Sequence, residues 1–217
     1  NQHLLPGLLK SNTLGYDGKG QFVLNSLDDI KQDWCFSSDY ILERKVKLKK
    51  EISVVITRYM DGTILYYEPI ENVHKNQILF KSKIPANISD KIFKEAIDNA
   101  KKIAENFSYV GVLTVEYFIT ESNELLVNEL APRFHNSGHL TIEAFNVSQF
   151  ENHVRAVCNL KSKPIKKISN AEMYNILGFE IQKYKKRDFK KNEFFHDYFK
   201  KEPREGRKMG HLTILKD

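Results

Sequence analysis

Cysteine is nearly absent from this chain: among 217 residues only Cys35 and Cys158 occur. Two thiols cannot make a disulfide framework, so a disulfide-stapled scaffold is excluded and a reducing compartment, the cytoplasm, is expected. No stretch of roughly 18 apolar residues exists, which leaves out a membrane-spanning helix. Internal repeats and low-complexity segments are missing too. The start, Asn1-Gln2-His3, has neither an initiator Met nor a signal-peptide pattern. With residues 4–9 reading as a strand entered midway, a fragment of a longer chain is expected. Net charge is mild, +6 from 34 basic and 28 acidic residues. Its surplus sits late: residues 161–217 hold 16 Lys+Arg against 8 Asp+Glu, and residues 1–160 hold 18 against 20. Glu202 and Glu205 interrupt the densest basic stretch, residues 200–208. No aromatic-and-basic RNA-binding signature accompanies it, so a solvated face or a compact phosphate clamp fits better than nucleic acid.

What is present is 41% apolar and 12% aromatic, enough core for one large domain or two modest ones. Residues 1–46 read as strand (4–10), glycine-rich loop, strand (21–24), short helix and strand (39–46). Asp61-Gly62, between runs 52–58 and 63–67, is the strongest hairpin signal. Another strand is expected over 77–84. After Pro85 a helix is predicted, with Ser89 at its N-cap. Ile92, Phe93, Ala96, Ile97, Ala100, Ile103, Ala104 and Phe107 recur there in three- and four-residue steps. Two β-rich runs, 111–119 and 125–130, flank a polar turn. A second helix starts at Ser148, with Glu151 placed for a capping box and Phe150, Val154 and Val157 on its buried side. Strand-like residues 174–178 and 211–215 end the chain. Strands with two packed helices indicate α+β or α/β architecture.

Four constellations can carry chemistry. The loop Gly15-Tyr16-Asp17-Gly18-Lys19-Gly20, with Lys10 ending the preceding strand, suits either phosphate cradling or a plain hairpin loop. It matches neither the Walker pattern nor a dinucleotide fingerprint. Second, if Ser122-Asn123 form a two-residue turn, Glu116 faces Glu129 across the hairpin. Like charges directly opposite are destabilising, and a divalent cation bridging them is the economical remedy, with Asn128 as a further oxygen ligand. A register slipped by one would instead leave both acids as solvated edge charges. Third, Arg133-Phe134-His135-Asn136-Ser137-Gly138-His139 packs polar groups between apolar segments, as an ordinary polar loop or a substrate-contacting one. The fourth is the basic tail already described.

These segments, with Glu43-Arg44-Lys45-Val46, Glu51, Glu71-Asn72-Val73-His74 and Gly206-Arg207-Lys208-Met209-Gly210-His211, resemble the ATP-grasp superfamily. Within it they resemble the 5-(carboxyamino)imidazole ribonucleotide synthase family of purine biosynthesis. The resemblance spans nearly the whole chain and is most specific in residues 135–139 and 206–211. It implies an α+β ATP-grasp fold of two subdomains with a small, mostly-β C-terminal domain. On that pattern residues 1–46 form the lid subdomain, 47–160 the large subdomain and 161–217 the basic β domain. It also implies carboxylation of the amine of 5-aminoimidazole ribonucleotide with ATP and bicarbonate, through carboxyphosphate.

Carried over by position, Lys10, Gly15, Tyr16, Gly18, Lys19, Gly20 and Gln21 hold ATP phosphates. Glu43, Arg44, Lys45 and Val46 line the adenine, Glu51 binds the ribose, and His74 and Asn128 sit near the nucleotide. Glu116 and Glu129 bind Mg²⁺. Arg133, His135, Asn136, Ser137, Arg207 and Lys208 surround the ribonucleotide, and Asp17 and Lys201 stand at the reacting groups. A cytoplasmic homodimer is the family's pattern. The chain departs from it at Ser11, Asn12, Thr13 and Leu14, where basic residues and another glycine are usual, and it lacks the family's preceding α/β domain. A different ATP-grasp carboxylate–amine ligase, or an inactive nucleotide-binding remnant, are the alternatives.

Overall fold

The computed structural model describes residues 2–11, 20–30 and 39–216. Gly15, Tyr16, Asp17, Gly18 and Lys19 of the glycine-rich loop lie outside the described residues. Among the described residues no helix is long and apolar enough to cross a membrane.

Two units are distinguished, one of them Asn1–Lys47 with Lys75–Ile78. Its sheet has strand order β2-β1-β3, from β1 (Gly7–Ser11), β2 (Gln21–Leu24) and β3 (Tyr40–Arg44). The first strand starts later than expected because Gln2–Leu4 form a 3₁₀ turn. Leu9 and Leu24 are buried, whereas Phe22, Val23 and Ile41 are exposed.

The second unit, Leu48–His74 with Leu79–Asp217, is built on one large sheet. Its strands are β4 (Leu48–Arg58), β5 (Ile64–Tyr66), β6 (Ile70–Lys75), β7 (Ile78–Ile84), β8 (Gly111–Thr120), β9 (Leu125–Ala131), β10 (Asn170–Leu177), β11 (Glu193–Asp197) and β12 (Lys208–Lys216). Their order is β11-β12-β10-β7-β6-β4-β8-β9, with β5 on β4. Residues 171–216 therefore extend the same sheet, β10 pairing with β7. The Asp61-Gly62 hairpin forms with Gly62 at φ +86°.

Helix α1 (Asp90–Asn106) begins as expected, the Ser89 hydroxyl accepting from the Ile92 N–H at 3.4 Å. Ile92, Ala96, Ile97, Ala100 and Ala104 pack on Ile52, Val54, Ile56, Leu113, Val115 and Tyr117. The alanines keep the helix close to the sheet, so the apolar stripe is narrower than its periodicity suggests and Phe93 and Phe107 stay exposed. The other sheet face is covered by α2 (Thr141–Ala144) and α3 (Gln149–Val157). Helix α3 turns opposite to expectation. It buries Gln149, Asn152 and Ala156 and leaves Val154 and Val157 exposed. The reason is hydrogen bonding: Asn152 accepts from the Tyr59 hydroxyl, and Gln149 binds the backbone of His135. Ser148 caps the Glu151 N–H at 3.2 Å, but the Glu151 carboxylate goes to Arg155 at 2.8 Å rather than back to the cap.

Candidate active site

The site grows out of the β8–β9 hairpin. Glu116 and Glu129 are register partners, though not by the expected turn. Thr120 and Glu124 close a three-residue loop, with Asn123 at φ +61°. That longer loop shifts the ladder, so Tyr117 pairs with Val127, and an irregularity between Glu116 and Tyr117 restores the acid pair. Asn128 is the extra residue of this bulge. A bulge sets two consecutive residues opposite one, so Asn128 and Glu129 both oppose Glu116, which a regular strand forbids.

Glu116 is 8% exposed and its Oε1 lies 2.7 Å from His135 Nε2. Burial favours a neutral Glu116, but His135, His74 and the contact with Glu129 outweigh it and hold the carboxyl below its usual range. On the far side of the His135 ring, Nδ1 accepts from the Ser137 N–H at 3.3 Å and meets the Ser137 hydroxyl at 2.8 Å. A buried chain continues from Ser137 Oγ to Ser53 Oγ (2.7 Å), which accepts from Asn72 Nδ2 (2.9 Å), whose Oδ1 accepts from Ser82 (2.8 Å). With Nδ1 accepting, His135 presents its proton to Glu116 from Nε2. Gln149 fixes the same residue from behind, its Oε1 accepting from the His135 N–H at 3.1 Å and its Nε2 donating to the carbonyl at 2.8 Å. Gly138 allows this approach: a Cβ there would come within 2.6 Å of Gln149 Oε1.

Beside Ser53 on the same strand, Glu51 Oε2 lies 2.6 Å from His74 Nδ1. Burial works against a charged His74, yet Glu51 and Glu116 hold it above its ordinary range, opposed by nearby Lys208. Asn136 forms a reciprocal amide pair with Asn175, at 3.0 and 2.5 Å. The structure thus gathers Glu51, His74, Glu116, Asn128, Glu129, His135 and Lys208. Arg133 and Lys201 are exposed, and Arg207 donates to the Glu202 carbonyl at 2.8 Å. Ser137 departs from the expected substrate contact: it is fully buried and acts on His135 instead. In the first unit, Lys10 pairs with Glu43 at 2.6 Å, with Gln21 its register partner on β2. Gly20 accepts from the Ser11 N–H, and Lys45 N–H donates to the Pro6 carbonyl, both at 2.9 Å. Arg44 ends β3 and Val46 follows it.

Ser82 and Asn175 escaped motif reading, and Ser53 and Asn72 fell within or beside quoted motifs without being given a role. Their only signal is polarity inside strands, Ser53 between Ile52 and Val54 and Asn175 between Tyr174 and Ile176.

A family model described as an ATP-grasp domain matches residues 2–150. One described as a phosphoribosylaminoimidazole carboxylase C-terminal domain matches residues 171–217. The chain is similar to N5-carboxyaminoimidazole ribonucleotide synthase from Bacillus subtilis (strain 168), 43% identical over 98% of this chain and 57% of that protein. Among solved structures it is similar to the Staphylococcus aureus N5-carboxyaminoimidazole synthetase complexed with ADP. That likeness has 38% identity and a TM-score of 0.88, over 98% of this chain and 58% of that one. An Aspergillus clavatus N5-carboxyaminoimidazole synthase in complex with ADP and 5-aminoimidazole ribonucleotide is similar at 32% identity and a TM-score of 0.87, over 97% and 58%. The chain therefore spans little more than half the length of these relatives. The α+β architecture, the acid pair on the β8–β9 hairpin and the match over residues 2–150 agree: the chain belongs to the ATP-grasp family.

Proposed function

We propose that this chain carries the nucleotide and substrate side chains of a cytoplasmic, ATP- and bicarbonate-dependent carboxylase acting on 5-aminoimidazole ribonucleotide in purine biosynthesis. The observation that carries this reading is the Glu116–Glu129 pair with Asn128 in the bulge beside it and His135 on Glu116. Three oxygen-bearing side chains at one bulge suit a hard divalent cation. Glu116, Glu129 and Asn128 would hold Mg²⁺, which when bound neutralises charge on the transferring phosphoryl group.

In this reading a bicarbonate oxygen takes the γ-phosphoryl group of ATP, giving carboxyphosphate and ADP. The ribonucleotide amine then attacks the carbonyl carbon, the bond to phosphate breaks, phosphate leaves and the nitrogen loses a proton. Lys10, Gly20 and Gln21, with Gly15, Tyr16, Gly18 and Lys19, hold the ATP phosphates, and residues 43–46 line the adenine. Glu51 and His74 face the ribose. Arg133, His135, Asn136, Lys201, Arg207 and Lys208 surround the ribonucleotide, and Asp17 stands beside its amine. Ser137 orients His135 rather than touching substrate. Dimerisation belongs to the same proposal.

The test is ADP release from the chain with ATP, Mg²⁺ and bicarbonate, with and without 5-aminoimidazole ribonucleotide. Turnover that depends on the ribonucleotide supports the carboxylase. Nucleotide binding without turnover supports a nucleotide-binding protein without carboxylase activity instead.

A further inference from the structure

At the β11–β12 end of the sheet, a second constellation has been given no chemical role above. Strands β11 and β12 set His196 directly opposite His211. Their rings stack with centroids 4.4 Å apart and planes 13° from parallel. Glu143 of α2 brings Oε1 to 2.6 Å from His196 Nε2, and ligand atoms of all three residues lie within 4.8 Å of one another.

Two buried atoms here lack a partner. His211 is 2% exposed; its Nδ1 meets the Tyr198 hydroxyl at 2.9 Å, while its Nε2 has no hydrogen bond. Glu143 Oε2 is likewise buried and unpaired. A neutral imidazole has one N–H to give. In the tautomer that donates this N–H from Nδ1 to Tyr198, Nε2 is a bare lone pair, and one cation satisfies both it and the Glu143 oxygen.

We propose that Glu143, His196 and His211 form a site for a divalent transition metal of the zinc class, separate from the carboxylate pair. Two imidazoles and one carboxylate suit zinc or cobalt, whereas magnesium and calcium prefer all-oxygen sets. Tyr198 supplies the outward hydrogen bond that a metal-ligating histidine commonly makes. Zinc bonds of about 2.0–2.1 Å would draw the ligand atoms to about 3.3 Å from one another, so the cluster tightens on loading. His196 faces the ion through Nε2 by moving its proton to Nδ1 or releasing it. The ion ties the outermost strand β11 to α2.

The test uses the full chain, stripped with a chelator and titrated with Zn²⁺ and with Co²⁺. A single equivalent is expected to bind with micromolar or tighter affinity, raise the melting temperature, and give cobalt the strong visible absorption of a low-coordinate site. His196→Ala, at a partly exposed position that leaves the core intact, and Glu143→Gln each lower affinity about tenfold or more and remove the cobalt spectrum. Glu129→Ala keeps both. Circular dichroism verifies that each variant is folded. The proposal is overturned if the stripped chain binds neither metal at micromolar concentrations, if His196→Ala binds as the parent does, or if Glu129→Ala abolishes binding.

Discussion

Strands β4 and β8 use alternate residues to build two unlike faces. Towards α1 they present Ile52, Val54, Ile56, Leu113, Val115 and Tyr117, a dry layer of aliphatic and aromatic side chains. Towards the opposite side they present Glu51, Ser53 and Glu116, which hold His74, Ser137 and His135. The first face gains free energy as each carbon leaves water. The second buries Val55 and Val112 as well but must recover the desolvation of its polar groups through hydrogen bonds, and its buried Glu116 lowers stability relative to an apolar residue of similar size. A site held on a sheet inherits the rigidity of its dry face, so positions one residue apart divide stability from chemistry.

The largest test of that division is Glu116→Gln. ADP release is expected to fall by about 100-fold or more with the urea midpoint held or raised. A large loss of stability would show that the acid is part of the scaffold. On the dry face, Ile56→Ala should cost about 2–5 kcal/mol in urea unfolding while the folded fraction keeps its nucleotide affinity; loss of affinity without loss of stability would break the division. Gly138→Ala tests the seam between faces. Its methyl group must displace Gln149 from His135, costing about 1–3 kcal/mol and lowering turnover, whereas an unchanged rate would free His135 from any need of Gln149. Smallest is a surface control on β10. Against the upward pull of burial, Lys81, Tyr174 and Lys216 hold Glu172 at about 2, below its ordinary 4.5. A depressed carboxylate stabilises fully above pH 4.5 and loses that contribution as pH falls towards 2. Glu172→Gln should flatten that acid limb, at a cost of less than about 1 kcal/mol at neutral pH, with turnover unchanged.

Legibility in the sequence followed the same split. Helix α1 could be read from its periodicity and cap because its residues serve packing alone. Strand β6 could not: Glu71, Asn72 and His74 are polar because they serve the site and its ion pairs, and that erases the alternation by which a strand is recognised. Strand β11 escaped because it is five residues long in a lysine-rich setting. The buried side of α3 was inverted for a related reason, since Gln149 and Asn152 are buried to make hydrogen bonds that no hydrophobic pattern records. Glu116 and Glu129 were matched correctly through two compensating differences, a turn one residue longer than expected and a bulge that restores the count. The ion pair of Lys10 with Glu43 joins segments far apart in sequence, which spacing alone cannot bring together.

The bulge at Asn128 has an evolutionary reading. Removing that one codon would even out the ladder and leave both acids facing, so the hairpin would persist without its third oxygen-bearing side chain. A sheet can thus acquire an additional polar group by insertion rather than by replacing a residue already committed to packing.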